Sequence, residues 1–105
     1  MPNDYKYWPS VGLYLNPGRR SLRKGVDEIH PHVDIPSWVR AEAIQMLEDH
    51  GIHFLLQLDY IWTHVDEESD EPFFTLDRFH FPGQRARDVQ PLLNQFERDH
   101  KPRST

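Results

Sequence analysis

The stretch "EIHPHVD", residues 28 to 34, sets His30 and His32 two apart and Asp34 two further on. Imidazole and carboxylate suit zinc, iron, nickel or manganese, and a strand histidine, His53, His64 or His80, is a candidate further donor. A divalent metal held by His30, His32 and Asp34 in a small metal-dependent enzyme is therefore one reading of the chain. The competing reading weighs more. Ligands must converge to about 2.0 to 2.2 Å from an ion, which a loop spacing alone does not bring about. Seven histidines in 105 residues raise the chance of accidental neighbours, and Asp34 stands just ahead of a helix that it can cap. The sequence favours no bound cofactor.

"NPGRRSLRKG", residues 16 to 25, is the second candidate. Arg19, Arg20, Arg23 and Lys24 lie between Gly18 and Gly25, and a basic loop of this kind can grip the phosphates of a nucleotide or a nucleic-acid backbone. Tyr5, Tyr7, Trp8 and Tyr14 stand close by in sequence and could stack on bases. The glycine spacing is not that of a P-loop, and no Lys-Ser or Lys-Thr pair follows. A solvated loop that pairs with acidic parts of the chain is the plainer account.

Two carboxylates, Asp59 and Asp77, fall on neighbouring strands and could approach each other. Close acids can separate their pKa values for acid and base work, although the exposed polar face of a hairpin explains them as well. The chain has no cysteine, which removes thiol nucleophiles, thiolate ligands and disulfides. None of its serines sits in a GxSxG elbow. Catalysis is thus the weaker class, and an interaction role the stronger.

The elements that must position these residues follow from periodicity. Val11 to Leu15 reads as a short strand ended by "NPG" at 16–18. Residues 16–35 read as a long loop. "DIPSWVRAEAIQMLEDHG" reads as a helix, with Val39, Ala43, Met46 and Leu47 on one side and Gly51 past its end. His50 is expected to cap or pack at that helix end. Residues 52 to 65 alternate, with Ile52, Phe54, Leu56, Leu58, Tyr60 and Trp62 on one face. Fourteen extended residues would measure about 46 Å at ~3.3 Å each, against a radius of gyration near ~13 Å for a domain of this size. A bulge or a projecting end must relieve that length. "DEESDEP", 66–72, reads as the hairpin loop, and 73–81 as the return strand. If Trp62 lies opposite Leu76, Tyr60 faces Arg78 and Leu58 faces His80. A last helix spans about Val89 to His100, with Asp88 as its cap.

The fold class is therefore α+β, in the order β-α-β-β-α: a small antiparallel sheet, made of a long central hairpin plus a short N-terminal strand, with two helices packed on one face. One domain, 1–105, is expected, with an N-terminal arm over 1–9 and a frayed tail over 101–105.

Composition fits that frame. Apolar residues make up 37% and charged residues 28%, with a net charge of −5. Residues 1–40 carry six Lys and Arg against four acids, and residues 41–105 six against thirteen, so any nucleic-acid contact must be local rather than spread over the chain. No uncharged run, Gly51 to Leu58 included, is long enough to span a bilayer, and "MPNDYKYWPS" lacks the pattern of a signal peptide. A cytoplasmic address is expected. Two modest helices leave apolar residues of the hairpin to be covered from elsewhere, and apolar patches of that size mark protein interfaces. Tyr7, Trp8, Ile61, Phe79 and Phe81 are the expected interface residues. The partner is another protein, with a homodimer formed through the hairpin as the first form, and the chain acts as an inhibitor, an adaptor or an accessory subunit.

Overall fold

A computed structural model gives the architecture, and it describes residues 8–9, 11–17, 30–63 and 74–102. Five main elements follow in order: β1 (His32–Pro36), α1 (Arg40–Asp49), β2 (Leu55–Thr63), β3 (Phe74–His80) and α2 (Ala86–His100). Single turns of 3-10 helix at Ser37–Val39 and Gly83–Arg85 lead into the two α-helices. The strands form one antiparallel sheet in the order β1-β3-β2. The class is α+β, as the sequence indicates, with β3 in the centre.

Period two decides which side of the sheet is core. Val33 and Ile35 of β1, Asp77 and Phe79 of β3, and Phe81 just beyond it are buried. Ala43 and Leu47 of α1 and Val89, Leu93 and Phe96 of α2 join the same core. Both helices therefore lie against one face, and the alternate residues His32, Asp34, Arg78 and His80 take the other. Among the described residues, no helix is long and apolar enough to cross a membrane.

The end of α1 is closed by its glycine. Gly51 adopts φ +67°, its N–H donates to the Glu48 carbonyl at 3.1 Å, and the Ile52 N–H returns to the Leu47 carbonyl at 2.9 Å. This pair of bonds is a Schellman closure, and it delivers Ile52 into the core beside Leu47. His50 caps the same turn through Nδ1–H to the Met46 carbonyl at 2.9 Å.

Three expectations change. The loop expected over 16–35 ends in a strand: "HVDIP" is β1, whose register runs from His32↔His80 to Pro36↔Leu76. Asp34 consequently sits inside a strand and caps no helix. Val11 to Leu15 is not a strand; it packs on α2, and only Asn16 forms a bridge, with His32. Its backbone is satisfied by a side chain instead. The Gln90 amide accepts from Leu15 N–H at 2.9 Å and donates to the Leu13 carbonyl at 3.0 Å, doing for this arm what a neighbouring strand would do. Lastly, α2 begins at Ala86, which places Asp88 in the first turn, 3.2 Å from Arg85, and not at the cap.

Candidate functional site

The face of the sheet turned away from the helices is built in rows that run across all three strands. His32 (β1) pairs with His80 (β3), which pairs with Leu55 (β2). In the next row stand Asp34, Arg78 and Gln57; beyond it Leu76 pairs with Pro36, which is fully buried, and with Ile61. Imidazole, carboxylate, guanidinium, amide and aliphatic groups thus share one surface.

Contacts within these rows balance its charge. Arg78 grips Asp34 through Nε to Oδ1 at 2.8 Å and Nη2 to Oδ2 at 3.1 Å. The guanidinium also lies 4.5 Å from the centre of the Tyr60 ring, a cation-π distance. The His32 and His80 rings are 5.8 Å apart at 50°, and His80 Nε2 bonds to Gln57 Oε1. Burial, and then the charge of Arg78, lower the pKa of His32; burial, then His32, Arg78 and His30, lower that of His80. Both rings are therefore held neutral at neutral pH.

A bulge in β2 raises the apolar part of this face. Gln57 pairs with Arg78 and Ile61 with Leu76, so Leu58, Asp59 and Tyr60 stand opposite Asp77 alone. Asp59 takes φ +48°, a left-handed conformation that Asp tolerates better than most residues. Its N–H donates to Asp77 Oδ1 at 2.8 Å. The two extra residues relieve the excess length of the strand and throw Leu58 and Tyr60 out of the core pattern that strict alternation assigns them. Leu55, Leu58 and Tyr60 are 71%, 57% and 49% exposed. The expected pairing of Trp62 with Leu76 is corrected to Trp62 with Thr75 and Ile61 with Leu76.

Behind the bulge lies a second polar cluster. Asp77 is fully buried, yet Arg40 Nε and Nη2 reach it at 2.6 and 3.0 Å and Ser37 Oγ at 2.8 Å. Arg40 Nη2 also meets Asp59 Oδ1 at 2.9 Å. Burial alone would raise the pKa of Asp77; its bonds to Arg40, the Asp59 N–H and Ser37 overcome that and hold it below the ordinary carboxylate range. Asp59 and Asp77 do meet, as their strand positions allow, but the Arg40 guanidinium bridges them and Asp77 is held as an anion. That is the reverse of a pair that divides acid and base roles.

The expected site residues fall into place unevenly. Phe79 and Phe81 are core residues, not interface anchors, because β3 is the central strand and they point to the helix side. Trp8 is half-buried, held by Nε1–H to Glu97 Oε2 at 2.7 Å and packed edge-on against Trp38 at 5.9 Å. Ile61 lies in β2, its side chain outside the described part. Tyr7 and the basic residues Arg19, Arg20, Arg23 and Lys24 lie outside the described residues. Among those described, no three His, Asp or Glu side chains group as a metal site. Asp34 is engaged by Arg78, and His32 is joined by His80 rather than by Asp34 in the geometry of a ligand set.

Sequence reasoning missed Leu58 and Tyr60 as surface groups and Arg40 as the partner of Asp77; the over-long alternating run was the signal for the first. An open cleft of about 430 Å³ beside the start of α2, lined by Leu15, Pro31, Arg87 and Gln90 among others, has few converging polar groups, and Gln90 is already bound to the arm. No protein-family model matches this chain, and no curated protein or solved structure matches it either.

Proposed function

We propose that this chain is a non-catalytic interaction module that binds another protein, and first of all a second copy of itself, through the open face of its sheet. The observation that carries this reading is the display of Leu55, Leu58 and Tyr60 on one strand, beside a charge pair that cancels itself. Protein interfaces favour that composition: an aromatic and apolar centre, with arginine engaged and few uncompensated charges. Copies of a chain with a net charge of −5 repel one another in general. On this face Arg78 offsets Asp34 and the imidazoles are neutral, so two copies can meet there without that penalty.

Sedimentation equilibrium near neutral pH tests the reading. The chain is expected to show a mass that rises from one copy towards two with concentration, while Leu55→Asp stays at one copy with unchanged thermal unfolding. A wild-type chain that remains a single copy up to about 1 mM, where even an association of ~4 kcal/mol would show, overturns it.

A further inference from the structure

We propose that the His32–His80 pair is a proton-operated gate on this docking face: neutral imidazoles let a second copy cover the surface, and protonated ones exclude it. This inference rests on the reading above. Its geometric basis is the first row of the sheet. Leu55, the most exposed apolar side chain among the described residues of the face, is the direct cross-strand neighbour of His80, and His80 of His32. A partner that covers Leu55 therefore takes water from His80, and the ring of His32 is only 5.8 Å further on.

The described groups around the pair give a charged form little compensation. Just before β1 stands His30 and on it Asp34, on β3 Arg78, and on β2 Gln57 and Tyr60. Among the described residues, Asp34 is the one carboxylate whose charge reaches both rings, and Arg78 already holds both of its oxygens. The Gln57 carbonyl accepts from His80 Nε2 but carries no charge. Protonation would set two cations side by side, next to Arg78, with no free anion among the described residues to balance them. Covering such a pair costs much more than covering two neutral rings. The lowered pKa values of both rings show that partial burial within the single chain already disfavours their charged forms, and a partner would extend that burial.

The test is sedimentation equilibrium of the full chain at about pH 7.5 and about pH 5, either side of the usual histidine range, with circular dichroism at both. If a partner lowers each imidazole by a further unit or so, the dimer weakens by about 10-fold per ring, roughly 100-fold for the pair of each copy and up to about 10,000-fold for the four rings of two copies, on acidification. The double variant His32→Gln, His80→Gln, whatever its association at the higher pH, is expected to change that association by less than about 3-fold between the two pH values. Absence of association in the wild type at the higher pH overturns the docking face, and the gate with it. Association that is insensitive to pH, or a pH dependence that survives in the double variant, overturns the gate alone. Unfolding ahead of dissociation overturns it too. So does association that a chelator abolishes, since the imidazoles would then be binding a metal ion and not a proton.

Discussion

Arg40, the first residue of α1, holds the buried carboxylate of Asp77 in the centre of the sheet through two nitrogens, Nε to Oδ2 at 2.6 Å and Nη2 to Oδ1 at 3.0 Å. The same carboxylate accepts from Ser37 Oγ and from the Asp59 N–H. One buried charge thus joins the turn that opens α1, the central strand and the bulge of the edge strand. The exposed groups of the candidate docking face depend on that joint, because the bulge that lifts Leu58 and Tyr60 is fastened from behind.

Arg40→Met is therefore expected to destabilise the chain by about 3 kcal/mol, since it leaves Asp77 buried without its counter-charge. Replacing both partners, Arg40→Met with Asp77→Leu, is expected to cost less than the sum of the single changes, because no lone charge then remains inside. Urea unfolding of the four chains measures the coupling as a double-mutant cycle. Additive single effects would show that the two side chains do not act as a pair.

Particular residues show why part of this was legible in the sequence and part was not. Gly51 announced the end of α1, since only a residue at ease with φ above zero closes a helix in that way. The β2 and β3 runs announced themselves by alternation, and with the helices they were enough for the class and order. β1 hid because only Val33 and Ile35 carry its period, between residues that face the open side and two prolines, Pro31 and Pro36. The bulge hid because no glycine marks it: Asp59 takes the left-handed turn itself. Arg40 and Asp77 stand 37 positions apart, a distance over which neither composition nor spacing pairs two charges. The chemistry of the open face was half visible. His32 drew attention from its own neighbours in sequence, while its true neighbour, His80, came from the other side of the hairpin.

Stability should fall with pH in two separate windows. His32 and His80 have folded pKa values below the ordinary ~6.5, so the fold favours their neutral forms. Their contribution is whole above ~6.5 and is lost as the pH falls through the lower folded values. Asp77 is also lowered, from the ordinary carboxylate value, so its contribution is whole above ~3.9 and is lost further down. Urea midpoints taken from neutral to acid pH should show both declines. His32→Gln with His80→Gln is expected to flatten the first and leave the second, and Asp77→Asn the reverse; a first decline that persists in the double variant would assign it to other groups.

Gly51→Ala tests the closure of α1 with little interference from packing. An added Cβ meets no atom within 4 Å, and φ is +67°, so the cost is that of the backbone conformation alone, about 1 kcal/mol. Thermal unfolding should register it as a few degrees in Tm, with the open face unaffected. A neutral or stabilising effect would mean that residue 51 leaves the left-handed region without cost.

Gln90 carries the last prediction, because it stands where a fourth strand would have been needed. Its amide bonds the Leu15 N–H and the Leu13 carbonyl from the middle of α2, and its Nε2 also reaches Asn94 Oδ1 at 2.9 Å. The Leu13 side chain beneath is fully buried. Gln90→Ala removes both backbone partners and leaves the apolar contact of Leu13 in place. The expected cost is about 1 to 3 kcal/mol, the range for leaving buried backbone groups unsatisfied. The loss should be local: hydrogen exchange at the Leu15 amide is expected to speed up by about 10-fold or more, while amides of β3 keep their protection. Gln90→Glu discriminates further. It retains an acceptor for Leu15 but loses the donor to Leu13, so Leu15 should stay better protected than in Gln90→Ala. Equal protection at Leu15 in all three chains would show that the arm is held by the burial of Leu13 and the Trp8–Glu97 bond, and that the amide of Gln90 is incidental.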